Sequence, residues 1–354
     1  MSRRIILFGP LPPPFGGVSV YLEALSKRLR QANVRVWAYT GAREQRNDVR
    51  FVSHRRLETF WSLIAEGRRA RILDATHFHF EYPNALLLSI WLLLKPILRF
   101  AWIKNVLDGS LPERHKTFTR LQRFLFARAL KSIDEFIVVS EELKLWLQRE
   151  QQVRQPITVI PCLLPPGDED NHDLDPALSS SLAGYLKGSK RVCSIGVFIP
   201  EYGFADVADA AAALREDSGQ EIQLLLLDGN FACDERYREK VLRGRPWITV
   251  IEEAAHETIP QLLKLSDVFV RATKEEGFGI SRIEAIWSGT PVIATKAGET
   301  RGMLTYDFGN REELINHLTA VLLGSTAVDT SVWAERYREE AENNLNELRK
   351  MLLS

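Results

Sequence analysis

The stretch Arg271-Ala272-Thr273-Lys274-Glu275-Glu276-Gly277-Phe278-Gly279-Ile280-Ser281-Arg282-Ile283-Glu284-Ala285-Ile286-Trp287-Ser288-Gly289-Thr290-Pro291-Val292-Ile293-Ala294 decides how this chain is read. It runs as the end of an apolar strand, a turn carrying Gly277 and Gly279, a helix starting near Ser281 and, past Gly289-Thr290-Pro291, a second strand. Strand, helix, strand in this succession is the βαβ unit of a parallel sheet. Ser281-x-x-Glu284 has the spacing of an N-terminal capping box, in which hydroxyl and carboxylate each satisfy a backbone N–H. That role explains Ser281 and Glu284 and leaves Glu276 over. A carboxylate directly ahead of Gly277-Phe278-Gly279 is expected to project into a cleft, where it can accept hydrogen bonds from polyols. The free N–H groups of the helix start suit a diphosphate.

Outward from this stretch the alternation recurs. Strand candidates at 191–197, 222–227, 248–251, 268–271 and 292–295 alternate with helix candidates at 205–215, 234–243, 259–265, 281–287 and 311–322. Upstream, strands at 5–8, 34–39, 76–80, 103–107, 136–139 and 158–160 alternate with helices at 18–31, 84–100, 113–131 and 141–149. Between the two sets, 161–176 carries the proline pair Pro165-Pro166, further prolines at 161 and 176, and the acidic run Asp168-Glu169-Asp170, the composition of a linker. The expected fold is α/β, with two Rossmann-like, doubly wound parallel-sheet lobes facing a cleft. The N-terminal lobe covers 1–165, a linker 166–189 and the C-terminal lobe 190–331. The tail 332–354 is rich in Glu, Leu, Lys and Arg without Gly or Pro, and reads as a long helix that packs back on the N-terminal lobe. Open parallel sheets bind ligands beyond the carboxyl ends of their strands, so the loops there carry the chemistry.

Bulk properties agree. A length of 354 residues suits two domains, and 45% hydrophobic with 26% charged residues places the chain among globular proteins. Cys162, Cys193 and Cys233 are scattered and show no Cys-x-x-Cys spacing, so neither a disulfide framework nor a zinc site is indicated, and a reducing cytoplasm fits best. Met1-Ser2-Arg3-Arg4 passes straight into Ile5-Ile6-Leu7-Phe8, too short for a signal-peptide core. The longest apolar run, 85–94, falls far short of the ~20 residues that span a bilayer, so a cytoplasmic protein is expected. The net charge of zero conceals 26 Lys/Arg against 14 Asp/Glu in 1–165 and 20 against 32 in 166–354. Attraction between the lobes and an anionic partner for the first lobe both account for this. Segment 114–131 holds six Lys/Arg and no acid, interleaved with Phe118, Leu121, Phe124, Leu125 and Phe126. It reads either as a sheet-packing helix with solvated charges or as a helix lying on an anionic membrane surface. His77 and His79 alternate with Phe78 and Phe80; a metal pair would need a third ligand, none is evident, and strand-end histidines are the simpler reading.

The loop Gly9-Pro10-Leu11-Pro12-Pro13-Pro14-Phe15-Gly16-Gly17-Val18 joins the first strand to the first helix. Gly16 and Gly17 would let a ligand approach the backbone where a helix start favours anions. The pattern is not Gly-x-Gly-x-x-Gly, so no dinucleotide fingerprint is present.

At these residues the chain resembles the retaining glycosyltransferases of family 4 (group 1), of the GT-B superfamily. Their Glu-Gly-Phe-Gly element, followed by a second Glu after seven intervening residues, is matched by Glu276 and Glu284. Pro13-Pro14-Phe15-Gly16-Gly17-Val18 resembles the family's N-terminal glycine loop, Val139-Ser140-Glu141 its Val-Ser-Glu segment and Val159-Ile160-Pro161 its Val-Ile-Pro. Leu227-Asp228-Gly229-Asn230 is similar to its Gly-Asp-Gly-Pro region and Ser266-Asp267-Val268 to its Ala-Asp-Val strand. The resemblance implies a nucleotide sugar in the C-terminal lobe and an acceptor in the N-terminal one. Glu284 would bind ribose hydroxyls, Glu276 the transferred sugar, and the backbone of Phe278, Gly279 and Ile280 would border sugar and phosphates. It further implies retention of configuration without a metal ion, and no Asp-x-Asp metal motif stands in a suitable loop.

The chain departs from the family at two places. Asp108-Gly109-Ser110 stands where a His-Gly pair is frequent, making Asp108 a second catalytic candidate beside Glu276. Val197 and Tyr202 stand where Arg and Lys usually grip the diphosphate. Lys274, Lys296 and Arg301 are the nearest cations in sequence, and Arg301 is favoured over Lys274 because a guanidinium makes paired hydrogen bonds to phosphate. The resulting expectation is a retaining, metal-independent hexosyltransferase moving sugar from a nucleotide diphosphate donor to a polysaccharide, lipid-linked or other glycoconjugate acceptor. The donor-binding set is Gly16, Gly17, Lys274, Phe278, Gly279, Ile280, Glu284 and Arg301. No cofactor beyond the nucleotide sugar, no metal and no nucleic acid are expected, and the protein is expected in the cytoplasm, with peripheral attachment to the inner face of the membrane. The alternatives are another nucleotide-sugar reaction on the same fold, such as epimerisation, and a non-catalytic sugar-nucleotide-binding subunit.

Overall fold

The computed structural model of the protein describes residues 4–13, 16–29, 33–41, 47–52, 58–77, 84–167, 176–324 and 329–353. They form two compact units, one of 1–13, 17–164 and 341–354, the other of 14–16 and 165–340.

The first unit is built on a seven-stranded sheet of β1 (Ile5–Gly9), β2 (Val34–Ala38), β3 (Val49–Phe51), β4 (Arg71–Asp74), β5 (Ala101–Val106), β6 (Glu135–Val138) and β7 (Ile157–Val159). Its order is β3-β2-β1-β4-β5-β6-β7, and every pairing is parallel. The order reverses between β1 and β4, the switch point at which doubly wound sheets open a crevice. Ile5, Ile6, Leu7, Ile72, Leu73, Ile103 and Phe136 are buried, as strands covered on both faces require.

The second sheet has β8 (Lys190–Phe198), β9 (Ile222–Cys233), β10 (Ile248–Glu252), β11 (Val268–Arg271), β12 (Val292–Thr295) and β13 (Leu304–Tyr306). Its order is β10-β9-β8-β11-β12-β13, again all parallel, with the switch point between β8 and β11. The helix Phe204–Ser218 lays Val207, Ala208, Ala211 and Leu214 onto Val192, Leu224, Val268 and Val270; its run of alanines permits close approach to the sheet.

Four expectations are revised. The strand expected at 76–80 lies at Arg71–Asp74. Asp74 ends it by accepting hydrogen bonds from the Thr76 N–H and hydroxyl (2.9 and 2.7 Å), a local turn that competes with the ladder. Phe78, His79, Phe80 and the acidic run 168–170 lie outside the described residues. The single helix expected over 113–131 is two helices, Leu111–Lys116 and Arg120–Ser132, because Thr119 and Gln122 form a reciprocal capping box. Strand β9 continues past Leu227 through Asp228-Gly229-Asn230, paired with β8 across a register shift at Gly196/Phe198. Residues 176–189, expected as linker, are packed into the second unit, with Tyr185 buried and its hydroxyl bonded to Ser266 Oγ at 2.7 Å. The closing helix Ser331–Leu353 contributes 331–340 to the second unit and 341–353 to the first, where Asn344 Nδ2 donates to the Pro161 and Leu163 carbonyls.

Candidate functional site

In the second unit the loops after β8 and β11 meet at the switch point. Arg271, the last residue of β11, donates from NH1 to the Ile195 carbonyl of β8 and from Nε and NH2 to Glu276 Oε2 at 2.9 and 2.8 Å. The Tyr202 ring lies over the Arg271 guanidinium, 5.2 Å from centroid to Cζ. Burial pushes the Glu276 carboxyl up, but the charges of Arg271 and then Arg282 outweigh it and hold Glu276 below the usual carboxylate range. Its side chain is 15% exposed, so the carboxylate is fixed yet reachable.

Two glycines make room for it. A Cβ on Gly279 (φ +91°) would meet Arg282 Cδ at 3.0 Å and Glu276 Cγ at 3.2 Å; one on Gly298 (φ +74°) would meet Glu276 Cγ at 2.9 Å. Both positions exclude other residues by backbone conformation and by space. Arg282 is 0% exposed and donates to the carbonyls of Thr295, Ala297 and Glu299 and to the hydroxyls of Thr273 and Thr295. It has no carboxylate partner within salt-bridge range among the described residues, its Nε is unsatisfied, and burial draws its pKa down to about 10, so it stays charged at neutral pH.

The helix Ile280–Trp287 begins one residue ahead of the expected start, with Gly279 as N-cap and no side-chain cap. The Ser281/Glu284 capping box is therefore not formed. Glu284 instead turns to His256, whose Nε2 lies 2.6 Å from Oε1, the distance of an imidazole N–H donating to a carboxylate. Beside His256 opens a pocket of about 550 Å³ lined by Leu178, Arg238, Ile251, Glu252, Ala255 and Thr258.

The cations singled out from sequence fare differently. Lys274 is exposed and makes no ion pair among the described residues; its backbone N–H donates to Glu201. Lys296 pairs with Asp307. Arg301 is fully engaged: it makes paired hydrogen bonds to both Glu299 and Glu340 and lies over the rings of Trp333 and Tyr337. The guanidinium geometry that favoured it for phosphate is spent on two carboxylates. Val197 is buried in β8. Arg271, Arg282 and His256 were not singled out as ligand-shaping residues, although an arginine closing the apolar run Val268-Phe269-Val270 is a signal that could have been followed.

In the first unit, Gly17 opens the helix Gly17–Arg28; Gly16, the residue before it, is grouped with the second unit. Asp108, beyond β5, accepts from the Ser110 N–H and hydroxyl (2.9 and 2.6 Å), pairs with Arg114, and lies 3.7 Å from His77 Nδ1. Burial raises the Asp108 carboxyl, and the neighbouring His77, the hydrogen bond from Ser110 and the charge of Arg114 overcome that and hold it well below the usual range. Behind it, Lys104 is buried against Asp74 at 3.0 Å and the Thr76 carbonyl at 2.6 Å. Among the described residues no group of three or more His, Cys, Asp or Glu side chains is arranged to hold a metal ion.

This architecture of two parallel-sheet α/β units is that of the GT-B glycosyltransferases. Residues 15–166 match the family described as Glycosyltransferase Family 4 and residues 184–328 that described as Glycosyl transferases group 1, and the chain belongs to these group 1, family 4-like glycosyltransferases. It is 28% identical over 110 residues (31% of this chain, 30% of the other) to the lipopolysaccharide core biosynthesis mannosyltransferase LpsB of Rhizobium meliloti. It is 26% identical over 270 residues (70% of this chain, 54% of the other) to mannosylfructose-phosphate synthase of Agrobacterium fabrum. The chain thus spans about half or less of the length of these curated relatives. Among solved structures, HepE of Anabaena in complex with UDP and glucose superposes with a TM-score of 0.73 at 16% identity over 99% of both chains. WaaG, a glycosyltransferase involved in lipopolysaccharide biosynthesis, gives 0.69 at 14% identity over 98% of this chain and 99% of the other.

Proposed function

We propose that the protein transfers a hexose-type sugar from a nucleotide diphosphate donor to a polysaccharide, lipid-linked or other glycoconjugate acceptor, with retention of configuration and without a metal ion. The observation that carries this reading is the second switch point, where Glu276 is held ionised between Gly279 and Gly298 beside the free amides of a helix start. Glu276 takes hydroxyls of the transferred sugar. Phe278, Gly279 and Ile280 border sugar and phosphates through their backbone, and Glu284, oriented by His256, takes the ribose. Lys274, the exposed cation of the loop, attends the phosphates. Gly16 and Gly17 admit a ligand close to the backbone, and Asp108, an anion at neutral pH, orients groups on the acceptor side and supplies no proton. The relatives that make or extend glycans, and the neighbour bound to UDP and glucose, support a nucleotide-sugar donor.

The test is a panel of nucleotide sugars read by thermal shift and by nucleotide release, followed by anomeric analysis of the product and repetition in chelator. No stabilisation by any nucleotide sugar would sink the donor reading. Val197 and Tyr202 favour one alternative, a chain that binds without turnover; stabilisation with no release on any acceptor would establish it.

The first unit is further proposed to rest on an anionic membrane in the cytoplasm. On the helix Arg120–Ser132, Leu121 and Phe124 are 67% and 61% exposed, among exposed Arg120, Arg123, Arg128 and Lys131. Apolar side chains ringed by cations match an anionic lipid interface. No helix among the described residues is long and apolar enough to cross a membrane.

A further inference from the structure

The buried charges beneath the loop 272–279 do not balance. Two guanidinium groups, Arg271 and Arg282, are enclosed there with one carboxylate, Glu276. Arg271 engages Glu276 by two donors, while Arg282 is bonded to neutral oxygens alone, and its Nε has no partner although the residue is 0% exposed. Burying an uncompensated cation is costly, and such a group is tolerated where an anion completes it. The other charged and titratable groups facing Glu276 do not complete it. Tyr202 lies over Arg271, and across Gly298 the Glu299 carboxylate is taken by Arg301.

We propose that Arg271 is a positioning residue that clamps the Glu276 carboxylate, and that with Arg282 it gives this loop a surplus positive charge that selects the diphosphate of a nucleotide donor. This rests on the donor reading above. This buried surplus acts from beneath the loop, through its backbone, and adds to the exposed Lys274 of the same loop. Tyr202 covers the Arg271 guanidinium on one side, Glu276 closes it on another, and Ile195 takes its NH1. A group so enclosed sets the local potential without moving.

The consequence is a pair of substitutions with opposite effects. Affinities of UDP, GDP and ADP are measured by calorimetry for the full chain, each beside its own nucleoside. Arg271→Met removes the surplus, and affinity for the diphosphate falls at least about tenfold while the nucleoside is bound as before. Glu276→Gln enlarges the surplus, and diphosphate affinity rises about threefold or more. The double variant returns close to the parent, and Arg271→Lys, which keeps the charge, retains diphosphate selectivity. Equal loss for diphosphate and nucleoside in Arg271→Met, or no change in either, overturns the inference while leaving the donor reading intact. If Arg271→Met does not fold, Glu276→Gln carries the test, and an unchanged diphosphate-to-nucleoside ratio overturns it. A parent protein that binds none of the three diphosphates overturns the donor reading and the inference with it.

Discussion

At the scale of single residues, the site is defined by which carboxylate meets which cation. Glu276 is bound to Arg271 and ionised, so replacing it separates chemistry from binding. Glu276→Gln is expected to lower sugar transfer about a hundredfold or more, the scale of losing one oriented polar group at a reacting centre. It also weakens a partly buried charged hydrogen bond and is expected to destabilise the fold by about 1–3 kcal/mol. Turnover at the parent's rate in a folded variant would remove Glu276 from the chemistry. Glu284 can now be tested without the ambiguity of a helix cap, because Gly279 holds that position and no side chain caps the helix. Glu284→Ala is expected to weaken nucleoside binding about tenfold or more, with a stability change of at most about 1 kcal/mol, since its partner His256 is partly exposed. Nucleoside affinity equal to the parent's would take the ribose away from Glu284. That Glu276 stands in the turn ahead of the helix that carries Glu284 was legible from its spacing to Gly277-Phe278-Gly279. The partners were not, because Ile195, His256 and Gly298 are distant in sequence and near only in the folded sheet.

At the scale of elements, the pairs of loops at the carboxyl ends of β8 and β11 act as a unit because their strands are neighbours. The helix boundary at Thr119 shows how local chemistry overrides a pattern: basic and aromatic residues recur on both sides of Thr119, yet the Thr119/Gln122 box starts a new helix. That break is what presents Leu121 and Phe124 on an exposed face. The paired substitution Leu121→Glu/Phe124→Glu is expected to abolish co-sedimentation with vesicles containing anionic lipid, without loss of stability, since it removes exposed side chains and adds repulsion. The parent is expected to bind such vesicles less as salt rises. Equal partition of the parent to neutral and anionic vesicles, or none to either, would leave this helix as a solvated face.

At the scale of the whole molecule, Asp108, Glu276 and Glu299 all titrate below their ordinary values. Each binds a proton more readily in the unfolded chain, so each contributes stability that is present above about pH 4–5 and lost as pH falls through the lower folded value. The melting temperature is therefore expected to show no loss from these groups between pH 5 and 8 and to fall below about pH 4; the triple variant Asp108→Asn/Glu276→Gln/Glu299→Gln should flatten that acid limb. An identical acid limb in the triple variant would assign acid unfolding to other groups. What the sequence by itself determined was the alternation of strand and helix, two parallel sheets, and the loop that carries Glu276, because periodicity, glycines and cap residues act over a few neighbours. Only the tertiary structure decided which charges meet. Arg301 looked free and is held by Glu299 and Glu340, whereas Arg271 looked like the end of a strand and holds the central carboxylate. The second partner of each guanidinium is distant in sequence, Ile195 of β8 for Arg271 and Glu340 of the closing helix for Arg301, and such non-local meetings are set by strand order and by burial of whole sheet faces, which no short stretch of sequence contains.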